Sequence, residues 1–306
     1  MRRVLAFYKF HPLSDTEAVR EELDQLGRSL DIKGTILVAG EGVNGTIVGE
    51  EDALQTMQQA LQQRVGDIPF KWSDLEQENR GFHRYKVRIK PEIVSFGVAD
   101  LDLRQTGEHV SAERWNELLE DPNVLVIDTR NTYEVDIGSF PEAISPETTN
   151  FRDFPEWVAE NLDPDTHTEV AMFCTGGIRC EKASAFMRQA GFDSVYQLDG
   201  GILRYLENVP ASENRWDGEC FVFDQRVSVD AELNQGQYQQ CFACRHPISD
   251  DDIASPEYEP GVSCPYCFAD TDETRNKRFR DRQLQIELAK KRGQQHIGAP
   301  QEQAKR

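Results

Sequence analysis

The first 98 residues alternate between strand and helix signals. Arg3-Val-Leu-Ala-Phe-Tyr8 reads as a strand. Ser14, with Glu17 three residues on, predicts a capping box that opens a helix through about Arg28. Thr35-Ile-Leu-Val-Ala39 and Gly45-Thr-Ile-Val48 read as strands joined by Gly40-Glu-Gly-Val-Asn-Gly45, Glu51 to about Gln63 as a helix, and Arg84 to Phe96 as a returning strand. That order, βαββαβ, predicts a ferredoxin-like domain over 1–98. Gly40-x-Gly42-x-x-Gly45 also fits the dinucleotide fingerprint in form. The fingerprint needs a helix after it, and here a strand follows, so these glycines read as a hairpin.

Residues 99–110 read as a linker. They lead into Ser111-Ala-Glu-Arg-Trp-Asn-Glu-Leu-Leu119, an amphipathic helix capped by Ser111. Alternating βα signals follow, with apolar runs at Val124–Ile127, Val170–Phe173 and Val195–Leu198, which makes 111–212 a second α/β domain. From 213 to 274 the composition turns polar, irregular and cysteine-rich, and 275–306 is a basic tail whose Gln-rich end from Gln294 is expected to be disordered. No run of 18 apolar residues predicts a membrane span. Lys9 and His11 interrupt the apolar start, which reads as a first strand rather than a signal peptide. Seven cysteines, four of them in Cys-x-x-Cys pairs, suit a reducing compartment, and the expected location is cytoplasmic.

Charge sharpens this picture. The chain has a net charge of −20, yet Arg275–Arg306 holds ten Lys/Arg against three acids and so carries +7, leaving −27 on the rest. An acidic body repels nucleic acid unless cations are concentrated. One such concentration is Arg84-Tyr-Lys86-Val-Arg88-Ile-Lys90. Residues alternate faces in a strand, so Arg84, Lys86, Arg88 and Lys90 share one face and are candidates for RNA phosphates. The alternative is a solvated face paired with acids of a neighbouring strand.

The candidate chemistry lies in Cys174-Thr-Gly-Gly-Ile-Arg179-Cys180, between the apolar run Val170–Phe173 and a helix-like segment from Glu181 to Ala190. Loop N–H groups and a helix N-terminus aim positive potential at such a sulfur. Surroundings of this kind lower a thiol pKa to anywhere between roughly 3.5 and 7.5. Cys180, at the helix start, reads either as a resolving thiol or as a small packing residue. Separately, Cys241-x-x-Cys244 and Cys264-x-x-Cys267, 19 residues apart, fit a tetrahedral S₄ zinc site, with free or redox-active thiols as the alternative. His246 is a competing ligand by position. His167-Thr-Glu169 has the local spacing of a facial triad without an ordered partner histidine, and no flavin or nicotinamide signature is present.

The loop resembles the active-site loop of the rhodanese superfamily, and the match extends to Asp128-Thr-Arg130 with Glu134 and Gly138, and to Asp199-Gly-Gly201. The resemblance implies that Cys174 is the persulfide-forming position, with Asp128 and Arg130 bracing the loop and Arg179 and the loop amides holding the thiolate. Arg179 lies five residues after Cys174, as in sulfur-handling members. Related phosphatases carry it one later, in a wider loop. Across nearly the whole chain, the string Phe173–Lys182, the N-terminal βαββαβ segment and the two Cys-x-x-Cys pairs resemble the bacterial tRNA uridine 5-hydroxylase family. That resemblance implies conversion of a tRNA wobble uridine to 5-hydroxyuridine, with tRNA, molecular oxygen and an electron donor as partners, no membrane, and Cys174 acting either as a thiolate that adds to C6 of uracil or as a persulfide or peroxidic sulfur. A sulfurtransferase passing persulfide from Cys174, and a non-catalytic RNA-binding rhodanese-fold protein, are the competing readings.

Overall fold

The computed structural model describes residues 2–75 and 82–293. The Gln-rich stretch from Gln294 lies outside the described residues. The N-terminal domain runs β1 (Arg2–Phe10), α1 (Thr16–Ser29), β2 (Lys33–Ala39), β3 (Gly42–Glu50), α2 (Glu51–Val65), β4 (Phe70–Asp74) and β5 (Tyr85–Ile89). The sheet order is β4-β1-β3-β2-β5, antiparallel except where β5 runs parallel to β2. This is the expected ferredoxin-like α/β arrangement, with one strand reassigned. The strand that completes it is β4, pairing with β1. The strand read over Arg84–Phe96 is shorter and forms the opposite edge. The cap of α1 also differs: Asp15 rather than Ser14 accepts the first-turn N–H of Ala18, at 2.9 Å. Gly40 and Glu41 form the β2–β3 hairpin turn and no helix follows, so no dinucleotide turn exists there.

Period-two burial explains the two faces of this sheet. Leu5, Phe7, Ile36, Val38 and Ile47 are buried against α1 and α2, which bring Leu23, Leu54, Met57 and Leu61 at helical spacing. Tyr85 secures β5: its hydroxyl donates to the Leu23 carbonyl at 2.7 Å, and its ring fills the space that any side chain at Gly27 would occupy. The other face carries Ala6, Tyr8, Asn44, Thr46, Thr35 and Leu37 and is turned towards the second domain.

The second domain begins with β6 (Glu108–Val110), at the end of the stretch read as linker. It continues through α3 (Ala112–Glu120), β7 (Val124–Asp128), α4 (Thr132–Val135), β8 (Gly138–Ser139), α5 (Phe154–Asn161), β9 (Glu169–Phe173), α6 (Ile178–Gln189), β10 (Ser194–Leu198) and α7 (Gly201–Asn208). Strands order β6-β10-β9-β7, all parallel. A parallel sheet is covered on both faces, and accordingly Val170–Phe173 of β9 are fully buried. On one side Phe140 meets Phe173, Tyr205 and Trp216 edge-on, with ring centroids 4.9–5.1 Å apart. On the other, Phe96, Phe151 and Phe154 pack under α6.

Beyond it come β11 (Asp217–Gly218), which pairs back onto β8, then β12 (Cys220–Phe221) with β13 (Ser228–Val229), β14 (Gln239–Gln240) with β15 (Pro247–Ile248), α8 (Asp250–Ala254) and α9 (Glu273–Lys291). α9 buries none of its residues. Among the described residues no helix is long and apolar enough to cross a membrane.

The two large domains are joined by charge. Lys182 of α6, almost wholly buried, reaches Glu41 at 2.9 Å and Glu92 at 2.7 Å, and donates to the Val94 carbonyl at 3.1 Å. Because Lys182 faces two carboxylates, removing the lysine would leave both without their cation, whereas removing either glutamate leaves Lys182 still paired.

Candidate active site

Cys174 follows the last residue of β9 and is 2% exposed. The chain then curls so that the N–H of Gly177 donates to the Cys174 Sγ at 3.1 Å. Gly177 holds φ at +95°, and a Cβ there would stand 3.0 Å from the Tyr8 hydroxyl, so conformation and space both demand glycine. N–H groups of Ile202 and Leu203, opening α7, bind the carbonyls of Cys174 and Thr175 at 3.0 and 3.1 Å and fix the loop from below.

Burial pushes the Cys174 thiol up. A hydrogen bond from Cys180, the charge of Arg179 and the N–H groups of residues 179 and 180 outweigh it and bring the pKa down to about 6. Cys180 moves the other way, raised by burial and by the hydrogen bond it gives to Cys174. It is thus a neutral donor to its neighbour's thiolate, with the Thr129 hydroxyl 3.7 Å from its own sulfur. Cys220 is also buried, which lifts its thiol to about 12 and leaves it inert.

The Arg179 guanidinium forks onto Glu134 at 2.7 and 3.0 Å and acts on the thiolate through its charge, while the Arg179 N–H acts on it directly. Glu134 is fully buried and was not among the expected site residues. Its signal was the Asn131-x-x-Glu134 capping box that opens α4. Asp128 and Arg130 form a wholly buried pair with contacts of 2.6–3.2 Å. Arg130 also donates to the carbonyls of Glu134 (3.0 Å) and Gly138 (2.6 Å), tying β7 to α4 and β8.

Above the loop lies a cavity of about 820 Å³, walled by the open face of the N-terminal sheet, the Cys174–Arg179 loop and the Val222–Arg226 segment. Lys71 crosses from β4 and donates to the carbonyls of Gly176 (3.2 Å) and Gly200. Burial pushes its ammonium down while the Cys174 thiolate holds it up. Phe223, half exposed, lies over the Arg179 guanidinium with its ring centre 5.7 Å away. These contributors were missed because they approach from elements 49 to more than 160 positions distant.

The register of the parallel β2–β5 pair sets Lys86 beside Thr35 and Arg88 beside Leu37. Since Thr35 and Leu37 line the cavity, Lys86 and Arg88 occupy the same sheet face, and Lys90 lines the cavity itself. Arg84, Arg88 and Lys90 are exposed. Among the described residues no carboxylate pairs with the stripe, and partial burial together with Arg88 and Arg84 pushes Lys86 down.

The second cysteine cluster also assembles. The Sγ atoms of Cys241, Cys244, Cys264 and Cys267 lie within 4.8 Å of one another, with Cys244–Cys264 at 3.7 Å and Cys264–Cys267 at 3.8 Å. A tetrahedron with Zn–S arms of about 2.3 Å has edges of about 3.8 Å, so the four sulfurs fit a metal such as zinc. His246 is not in the set. Its ring stacks on Tyr266 at 3.6 Å and faces Asp136, also 3.6 Å away, at the end of α4. His167 sits in the turn before β9 with Nδ1 against Asp163, away from the cavity.

Residues 2–93 match the UPF0176 acylphosphatase like domain, and residues 111–208 match the rhodanese-like domain. The chain joins an acylphosphatase-like domain to a rhodanese-like domain. Solved structures resemble one part each. The rhodanese-like domain of an Anabaena sp protein shares 19% identity, covers 36% of this chain and 78% of its own, and superposes with a TM-score of 0.29. An acylphosphatase from Coxiella burnetii shares 15% identity over 28% of this chain and 90% of its own, with a TM-score of 0.23. For an acylphosphatase from Bacillus subtilis the values are 18%, 29%, 99% and 0.24. The rhodanese-like domain and its activated Cys174 support a cysteine-dependent, sulfur-related role.

Proposed function

We propose that this chain is a tRNA-modifying oxidoreductase that converts the wobble uridine to 5-hydroxyuridine, with dioxygen as oxidant, a two-electron donor that reduces the second oxygen atom to water, and Cys174 as the essential sulfur. One observation carries the reading: a thiolate-forming cysteine at the floor of a cavity whose facing sheet presents a cationic edge, Arg84, Lys86, Arg88 and Lys90. In this reading the stripe takes the phosphates flanking an unstacked uridine, while the base enters towards the loop. The thiolate adds to C6, which makes C5 electron-rich towards an oxidant. Arg179 and the loop N–H groups keep the sulfur ionised, and Asp128 with Arg130 holds the loop in shape.

A simple sulfurtransferase needs only the loop and an open mouth. The N-terminal domain folded over this loop favours a polymeric substrate instead. Labelling cells with ¹⁸O₂ tests the reading: 5-hydroxyuridine made by this protein gains one heavy oxygen. Label arriving from water would contradict an oxygen-dependent reaction.

A further inference from the structure

A second cluster of titratable groups faces the same cavity as Cys174. Glu181, in the first turn of α6, accepts from the Tyr8 hydroxyl of β1 at 3.2 Å. Its same oxygen meets Nε2 of His109, on β6, at 3.1 Å. Its other oxygen accepts from the buried Gln197 amide at 3.5 Å. Three side chains from three elements of two domains thus converge on one carboxylate, whose side chain is 16% exposed. Tyr8, Glu181 and His109 all line the cavity. The Tyr8 hydroxyl lies against Gly177, whose N–H holds the Cys174 sulfur, and the Cys174 charge is felt at Tyr8. At the far end, the His109 side chain is 44% exposed and meets solvent. The line runs from the reactive sulfur, through a phenol and a carboxylate, to an imidazole at the surface.

We infer that Tyr8, Glu181 and His109 form a proton relay that serves C5 of the uracil bound at Cys174. The inference rests on the reading of Cys174 as a thiolate acting on uridine. When the thiolate forms its bond to C6, the C5=C6 pair moves onto C5 and O4 as an enolate. Solvent in the open cavity protonates C5 on the face away from Tyr8, which turns the original C5 hydrogen towards the phenol. Tyr8 takes that original hydrogen while its own proton passes to Glu181 and on through His109 to solvent. The C5–H electron pair restores C5=C6, the C6–S bond breaks, and the thiolate leaves. No oxidant enters either step. The same removal of the C5 hydrogen from a 5-hydroxylated adduct releases 5-hydroxyuridine.

The relay therefore predicts washout of the C5 hydrogen even without oxygen. Purified full-length protein, incubated anaerobically with tRNA carrying [5-³H]uridine, should release tritium to water. Cys174→Ser should release none. Glu181→Gln keeps the shape and most hydrogen bonds but accepts no proton, and Tyr8→Phe removes only the hydroxyl. Each should slow release on the order of 100-fold or more, the usual loss when general acid–base help is removed. Alkylation of Cys174 and tRNA affinity should stay within about twofold of the unmodified protein, which separates a relay from a merely structural contact between domains. Wild-type tritium release in both variants overturns the relay, as does an unmodified protein that releases none. Deletion cells distinguish the two levels of the account. If the unmodified gene restores 5-hydroxyuridine and the Glu181→Gln gene does so equally, the relay falls and the Cys174 reading stands. If the unmodified gene restores nothing, the reading itself falls.

Discussion

Cys174 sits in a balance of opposed effects. Burial disfavours its thiolate, and the Cys180 thiol, the Arg179 charge and the N–H groups opening α6 favour it more. Its pKa near 6 makes a direct prediction. The rate of iodoacetamide alkylation at Cys174 should rise through about pH 6 and be flat by pH 8, whereas an ordinary thiol is still climbing there. Cys180→Ala removes one donor to the sulfur, so the midpoint should move up by about one unit or more. An unmoved midpoint would show that Cys180 contributes packing alone. Cys174 and Arg179 were legible in the sequence because one short loop carries them. Glu134, which occupies the guanidinium, showed only as the third residue of a capping box, because an ion pair between residues 45 apart leaves no local trace.

Among the elements, β5 and the cysteine module carry the sharpest tests. The period-two pattern of Arg84–Lys90 predicts one face for the four cations. Which way that face points depended on pairing with β2, a tertiary fact. Lys86→Glu with Arg88→Glu should weaken tRNA binding strongly. If about four phosphates are neutralised, log K against log salt should have a slope near −0.7 per contact, and the double reversal should flatten it. Unchanged affinity and slope in the folded variant would mean that these charges only offset acids of the body. In the cysteine module, the Cys-x-x-Cys spacing alone was enough to mark the cluster. About one zinc per chain is expected by elemental analysis, and Cys264→Ser should lose both the metal and the thermal stability of the module. β4 was missed for the converse reason. Five residues with Phe70 and Trp72 inward and Lys71 and Ser73 outward are a weak signal, and only pairing with β1 makes them a strand.

Across the whole molecule, each domain's fold was readable from its own segment, and the site was readable only in half. Continuous apolar runs such as Val170–Phe173 can be nothing but buried, which gave the parallel sheet. The cavity is walled on both sides because Lys182 holds Glu41 and Glu92, and because Tyr8 crosses to Glu181 of α6 and Lys71 to the Cys174 loop. Those contacts join residues 90 to more than 170 positions apart, where no local pattern can reach. The functional account depends on that union, since the loop alone equally serves sulfur transfer. Nucleoside mass spectrometry of tRNA from cells lacking the gene, complemented with either the unmodified gene or Cys174→Ser, tests it most directly. The account predicts 5-hydroxyuridine restored by the first and absent with the second, at equal protein levels. Restoration by Cys174→Ser, or by neither, would contradict it.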